Sequence, residues 1–181
     1  GVFIDDANMF YAQRKAGWRI DYEKLRRMLA QSFDVQFMNY YLVMPSEKDT
    51  AYQKTQQFLA PFKRAFGNTL TLRTKQLKYI YDRGKEEWVK KGNVDSEVLL
   101  DVLDRLEELD TVLIMSGDSD YKALAHTLTK KGKKVLFAGF ENNMAWELRQ
   151  MKHVYLNRLR RELDSDNKKA PEQTGVPLLS I

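Results

Sequence analysis

Two short acidic motifs each follow directly on an apolar run that is typical of a buried strand. They span residues 3–8 and 116–120, and their carboxylates are those of Asp5, Asp6, Asp118 and Asp120. Since the carboxyl ends of parallel strands meet at one edge of a sheet, these side chains are expected to lie close together. Neighbouring carboxylates repel one another, so they either raise a pKa or bind a cation. The spacing therefore predicts a metal site.

Helix capping is the alternative for two of these aspartates. Asp118 or Asp120 can cap the helix that is predicted to start near Tyr121, because aspartate is a preferred N-cap residue. Capping explains either side chain alone, but it explains poorly why both occur together with Asp5. Gly117 allows the backbone to turn sharply after the strand.

A helix predicted between residues 93 and 109 adds a third acidic position. At about 100° per residue its apolar side chains form one continuous face. That face consists of Val98, Leu99, Val102, Leu103, Leu106 and Leu109. Asp95 lies in the middle of it, where an unpaired carboxylate would be costly, so Asp95 is either a cap or a ligand. Asp101 lies at the border, where it reaches the site edge or pairs with a surface base such as Arg105.

The composition favours one domain. The chain has 181 residues, 43% hydrophobic and 30% charged, and contains no cysteine. The lack of cysteine excludes disulfides, a thiolate nucleophile and cysteine-ligated zinc. No run approaches the roughly 20 apolar residues that span a bilayer, and no signal peptide pattern is present. We therefore expect a cytoplasmic protein without a membrane segment.

The alternation of strands and helices predicts an α/β fold, a three-layer sandwich with a central, mostly parallel sheet. The domain is expected to cover residues 1–163, and the polar residues 164–181 are expected to form a C-terminal tail. A long helix is predicted from Ser46 to Phe66, and Pro61 is expected to bend or end it.

A small basic β-hairpin insertion is predicted around a turn at residues 82–85. The net charge is +5, and cations are concentrated in residues 63–91. This stretch is a candidate for contact with phosphates, although a solvated lysine-rich surface explains the composition equally well. Tyr79 and Tyr81 are expected to pack in the core.

Three motifs in order resemble those of the NYN domains of the PIN-like nuclease superfamily, in particular its LabA-like branch. The motifs are residues 3–8, 91–101 and 116–121, and the resemblance covers roughly residues 2–159. It implies a PIN-like, Rossmann-like fold whose acidic cluster binds Mg²⁺ or Mn²⁺ and hydrolyses RNA phosphodiester bonds.

The resemblance also implies roles for individual residues. The metal ligands would be Asp5, Asp95 and Asp118, with Asp120 as an additional or water-mediated ligand and Asn8 as an orienting group. Secondary positions are Asp6, Asp101 and Ser116. The expected RNA-binding residues are Lys75, Lys78, Arg83, Lys85, Trp88, Lys90 and Lys91.

The chain departs from the family pattern at three positions. Asp6 replaces a frequent glycine, Asn93 is an extra residue before Val94, and His153 stands where an acidic residue is common.

The leading hypothesis is therefore a metal-dependent endoribonuclease with RNA as its partner and no organic cofactor. The alternative is a catalytically weak RNA-binding or regulatory module of the same fold. A Toprim-like site would need a glutamate after the earlier strand, and a dehalogenase-type phosphatase would need a different aspartate spacing. The oligomeric state stays open, with a homodimer among the alternatives.

Overall fold

The computed structural model describes residues 1–66 and 70–167. A six-stranded sheet is formed by β1 (Val2–Asp5), β2 (Met38–Met44), β3 (Leu70–Gln76), β6 (Thr111–Met115), β7 (Lys134–Gly139) and β8 (His153–Tyr155). A separate antiparallel hairpin is formed by β4 (Lys78–Asp82) and β5 (Glu87–Lys91). The sheet order is β3-β2-β1-β6-β7-β8, and all neighbouring strands run parallel. The predicted α/β sandwich and its hairpin insertion are confirmed.

Helices cover both faces of the sheet. They are α1 (Asp6–Ala16), α2 (Tyr22–Ser32), α3 (Ala51–Phe66), α4 (Asp95–Asp104), α5 (Lys122–Lys130), α6 (Trp146–Arg149) and α7 (Arg160–Leu163). Apolar residues of α1, α2, α3 and α7 form one core, and those of α4, α5 and α6 form the other. Both faces of the central strands are therefore buried, as is usual for parallel sheets.

Strand alternation divides the residues of β1 between the two cores. Val2 and Ile4 pack in the core with α1 and α2, whereas Phe3 packs in the core with α4 and α5. Because successive side chains of a strand point to opposite faces, Asp5 follows Phe3 onto the α4 side.

The chain reverses its direction of sheet growth between β1 and β6. It first adds β2 and β3 on one side of β1, then crosses to place β6 on the other side. Such a switch point leaves a crevice at the carboxyl ends of the strands, where ligands bind in open α/β sheets. Asp5 ends β1 and Ser116 follows β6, so both acidic motifs lie at this crevice.

Two helices differ from the sequence prediction. The helix after Pro45 begins only at Ala51, and it continues through Pro61 to Phe66. The helix that was expected to run to Leu109 ends at Asp104 and is followed by a short 3₁₀ turn.

The continuous apolar face predicted for this helix is only partly buried. Val98 and Val102 are buried, whereas Leu99 and Leu103 are 37% and 38% exposed. On the side that faces the edge strand β3, α4 makes ion pairs rather than apolar contacts. Asp101 pairs with Arg73, and Glu97 pairs with Lys75.

The first residues of the predicted tail are attached to the domain. Asp164 forms a β-bridge with Ile20, and the Lys24 ammonium donates hydrogen bonds to the carbonyl oxygens of Asp164 and Asn167. The boundary at residue 163 stays a prediction, and residues 168–181 lie outside the described part of the chain. Among the described helices, none has the length and apolar character needed to cross a membrane.

Truncation of the α5 core should be costly. Leu128 is fully buried, so we expect Leu128→Ala to lower the free energy of unfolding by about 2–5 kcal/mol. Leu100→Ala, at a leucine that is 64% exposed, is the matched control and should change it by about 0.5 kcal/mol or less. Urea unfolding followed by circular dichroism measures both. Equal losses would contradict the described packing.

Candidate metal centre

Asp5 is the buried centre of the acidic crevice. Asp5 is only 5% exposed. One carboxylate oxygen accepts a hydrogen bond from the Asn8 backbone N–H at 3.2 Å, which caps α1. The other accepts from the Ser116 hydroxyl at 3.2 Å and lies 3.4 Å from the Tyr121 hydroxyl. These contacts fix the direction of the carboxylate.

Tyr121 connects the first strand to the first turn of α4. Its hydroxyl lies 3.2 Å from Asp95 Oδ1 as well as near Asp5, so its single proton is shared between two carboxylates. The other Asp95 oxygen accepts a hydrogen bond from the Asn93 side chain at 2.8 Å. Asp95 is therefore directed towards the crevice from a third element, as the helical projection predicted.

Asp118 is connected to the same centre through Ser116. The Ser116 oxygen accepts a hydrogen bond from the Asp118 backbone N–H at 3.2 Å while its hydroxyl donates to Asp5. Asp118 Oδ1 accepts from the Asp120 N–H at 3.0 Å and caps the 3₁₀ turn Ser119–Tyr121. The capping role is thus real for Asp118, and Asp120 is exposed.

Asn8 joins the start of α1 to the loops that follow β6 and β7. Its Oδ1 accepts hydrogen bonds from the Gly117 N–H at 2.8 Å and from the Asn143 side chain at 2.9 Å. A Cβ on Gly117 would lie 2.2 Å from the Asn143 carbonyl oxygen, so only glycine allows this approach. Asn8 therefore orients the crevice by binding the backbone after β6.

The carboxylates raise one another's proton affinity. The pKa of Asp5 is raised to about 6, mainly by burial and also by the charges of Asp95 and Asp118, while the hydrogen bonds of Asn8 and Ser116 act in the opposite direction. Burial also raises the pKa of Asp95, with the charges of Asp118 and Asp120 acting in the same direction. Burial and these carboxylates raise the pKa of Tyr121, which keeps its hydroxyl protonated.

Asp6 lies on the opposite side of the sheet from Asp5. It accepts a hydrogen bond from the Tyr40 hydroxyl, and Tyr40 packs in the core formed by α1 and α2. Burial raises the pKa of Asp6 to about 6. The structure thus separates Asp6 from the other three carboxylates of the motifs.

Asp101 fastens α4 to the sheet. One of its carboxylate oxygens accepts hydrogen bonds from Tyr41 at 2.8 Å and Asn39 at 3.4 Å, and pairs with Arg73 at 3.0 Å. The suggested partner Arg105 instead pairs with Glu108, at 2.8 Å.

Two of the predicted RNA-binding lysines are engaged in ion pairs. Lys75 pairs with Glu97 at 2.8 Å, and Lys90 pairs with Asp49 at 2.7 Å. The others lie exposed in or beside the hairpin: Lys78, Arg83, Lys85, Trp88 and Lys91.

The prediction that Tyr79 and Tyr81 pack in the core is wrong, since they are 36% and 46% exposed. The hairpin strands pair with no strand of the six-stranded sheet and are exposed on both faces, so the alternation of apolar and polar residues in them does not mark a buried face.

The donor set suits a hard divalent cation. Carboxylate and hydroxyl oxygens surround the crevice, and these are the ligands that Mg²⁺ and Mn²⁺ prefer. Within residues 1–66 and 70–167, no three side chains of His, Asp or Glu are close enough together to bind one metal ion. Asp5, Asp95 and Asp118 could hold a cation only if their side chains move closer together.

Comparison with known proteins gives the family of this fold. The model of the NYN domain matches residues 1–160. The chain belongs to the NYN domain family. The NYN domain described here is also 28% identical over 178 residues to the low amplitude and bright protein LabA of Synechococcus elongatus. That match covers 94% of this chain and 90% of the relative.

A solved structure supports the same fold. A protein of unknown function from Vibrio parahaemolyticus superposes with a TM-score of 0.66 at 20% identity, over 85% of this chain and 89% of that one. At this identity the likeness shows the shared fold alone.

Three residues of the centre escaped prediction as site residues. They are Asn93, Tyr121 and Asn143, whose side chains contact Asp95, Asp5 and Asn8. Asn93 and Tyr121 carried a signal, because each lies within one of the three motifs that resemble the family pattern.

Gly117→Ala tests the close approach of the loops. The added methyl group would collide with the Asn143 carbonyl, so we expect a loss of about 1–3 kcal/mol in unfolding free energy. Gly84→Ala is the control, because its nearest neighbour would be Asp82 Oδ1 at an ordinary 3.4 Å. Chemical denaturation measures both variants, and a Gly117→Ala protein as stable as the control would exclude this packing.

The raised pKa of Asp5 predicts a specific pH dependence of the metal-free protein. The folded state holds the proton up to about pH 6, whereas the unfolded chain releases it near pH 4, so stability falls as pH rises through this window. Relative to the wild type, Asp5→Asn should therefore gain stability by up to roughly 3 kcal/mol between pH 4 and pH 7. Denaturant titrations in EDTA measure the difference, and a constant or declining value would contradict it.

Proposed function

We propose that this NYN domain is a metal-dependent endoribonuclease that hydrolyses RNA phosphodiester bonds in the crevice between β1 and β6. The observation that carries the proposal is the linked set of carboxylates around Asp5. Ser116 connects it to Asp118, and Tyr121 connects it to Asp95. Three separate segments of the chain contribute to this set, and the charges of Asp95 and Asp118 raise the pKa of Asp5.

Asp5, Asp95 and Asp118 would hold the Mg²⁺ or Mn²⁺ ion, with Asp120 at its outer side. When bound, the ion supplies positive charge that activates a water and stabilises charge developing on the phosphate. The protein's own contribution is to keep the carboxylates aligned. Asn8 and Gly117 fix the loop that carries Asp118, and Asn93 fixes Asp95.

The basic hairpin supports RNA as the substrate. Without a cation the carboxylates repel a phosphate backbone, so binding needs positive charge elsewhere. Within the described residues, no carboxylate lies in ion-pair distance of the cationic groups of Lys78, Arg83, Lys85 and Lys91, which therefore remain available for phosphates. Lys91, at the base of the hairpin close in sequence to Asp95, is the lysine proposed to lie nearest the scissile phosphate.

One observation favours a second candidate, an RNA-binding or regulatory module with little turnover. No three carboxylates of the described residues converge on a metal position without side-chain movement. A domain that binds RNA through the hairpin and never assembles the metal site would show this arrangement permanently.

Cleavage assays distinguish the two candidates. Labelled single-stranded RNA is incubated with the protein and Mn²⁺ or Mg²⁺, and with Asp5→Asn and Asp118→Asn variants. We expect metal-dependent cleavage by the wild type and a loss of about 100-fold or more in each variant, because each loses a ligand charge. Asp104→Asn, at the exposed far end of α4, is the matched control and should retain full activity.

Cleavage that persists in both variants would disprove the site. RNA binding without cleavage under any metal condition would support the binding module instead.

A further inference from the structure

We propose that single-stranded RNA crosses the carboxyl edge of the sheet with its bases stacked on two exposed aromatic platforms, one on each side of Asp5. The first platform is the Tyr81–Trp88 pair of the hairpin, and the second is Trp146 at the start of α6. This inference rests on the proposed function, since it concerns how the same crevice receives its substrate.

The first platform is an exposed aromatic pair on a hairpin whose base is anchored. Tyr81 and Trp88 are directly opposite each other in the β4–β5 register and meet edge to face at 5.5 Å. Trp88 is 68% exposed. At the base of the hairpin, the Tyr79 hydroxyl and the Lys90 ammonium each donate a hydrogen bond to Asp49 at 2.7 Å, which attaches the hairpin to the segment before α3.

Trp146 is exposed although the loop that carries it is tightly held. Its side chain is 71% exposed, the largest value among the exposed large apolar residues of the described chain. The preceding Ala145 N–H donates to the Gly117 carbonyl at 2.8 Å, and the Arg149 side chain donates to the carbonyls of Met144 and Glu141. A rigid loop joined to the acidic motif thus presents an indole to solvent.

The sheet order places the acidic crevice between these platforms. The hairpin follows β3 at one edge, Asp5 ends β1, Ser116 follows β6, and Trp146 follows β7. With strands about 4.8 Å apart, β3 and β7 are separated by roughly 19 Å. A strand of nucleic acid lying across the carboxyl edge would meet the hairpin, the carboxylates and Trp146 in that order.

The chemistry of these surfaces favours unpaired bases. Exposed aromatic rings stack on nucleobases of any sequence, and positive charge beside them holds the backbone. The bases of a duplex are already stacked on one another and offer no free faces in its interior. The cations of Lys78, Arg83, Lys85 and Lys91 lie in or next to the hairpin, which gives this platform the charge complementary to RNA.

Binding measurements without turnover test the inference. The Asp118→Asn protein in EDTA is titrated into labelled oligouridylate, into the same length of RNA duplex, and into heparin, a polyanion without bases. Trp88→Ala and Trp146→Ala should each weaken oligouridylate binding by roughly 5- to 150-fold and leave heparin binding unchanged. Leu100→Ala, which removes an exposed apolar residue of α4 away from the crevice, should leave all three affinities unchanged.

Tryptophan fluorescence separates the two platforms. The chain has three tryptophans, and Trp18 is only 5% exposed, so Trp88→Phe leaves Trp146 as the one exposed indole. Oligouridylate should quench this variant, and Trp146→Phe should retain the quenching that comes from Trp88. No quenching in the Trp88→Phe protein would remove Trp146 from the RNA path.

Two further results would overturn the inference. Equal losses of oligouridylate and heparin binding would mean that the substitutions act through charge or folding. Conversion of a dimer into a monomer by Trp146→Ala would mean that a second copy of the chain covers this surface. The cleavage assay remains independent, because loss of stacking leaves metal-dependent hydrolysis intact and absence of hydrolysis leaves these affinities measurable.

Discussion

The buried carboxylate of Asp5 is the constraint on which the geometry of the acidic crevice depends. A carboxylate that is only 5% exposed needs hydrogen-bond donors, and it receives them from the Asn8 N–H and the hydroxyl groups of Ser116 and Tyr121. These donors come from α1 and from the segment after β6. Supplying them therefore brings the two acidic motifs together at the switch point of the sheet. The carboxylates of Asp95 and Asp118 add repulsion that a bound cation would relieve.

The surrounding fold holds this unfavourable arrangement in place. Val98 and Val102 pack α4 onto the sheet, and Asp101 binds β2 and β3 through Tyr41 and Arg73, so Asp95 cannot easily withdraw from the crevice. On the other side of the crevice, the contact of Asn8 with Gly117 and the close approach of Gly117 to the following loop fix the second motif. The same loop leads into Trp146, so the proposed substrate surface and the proposed metal centre share one rigid support.

The sequence predicted those features that depend on periodicity and on strand ends. Buried strands followed by aspartates correctly indicated which edge of the sheet carries the carboxylates. The helical spacing indicated that Asp95 faces the same edge. The projection failed at Leu99 and Leu103, which lie within α4, because the helix buries a narrower face than the continuous apolar one that was predicted. The core packing predicted for Tyr79 and Tyr81 also failed, since alternation along a strand does not distinguish a separate hairpin from a strand of the sheet.

Contacts between distant residues were beyond the reach of sequence patterns. The Tyr121 hydroxyl joins Asp5 and Asp95 across separations of 116 and 26 residues, and Asn143 reaches Asn8 across 135. Such pairs depend on how loops pack, which no local spacing encodes.

A crystal of the protein soaked in Mn²⁺ tests whether Asp5, Asp95 and Asp118 share one divalent cation. We expect an anomalous peak bounded by these three carboxylates. A peak elsewhere, or none at saturating Mn²⁺, would contradict it.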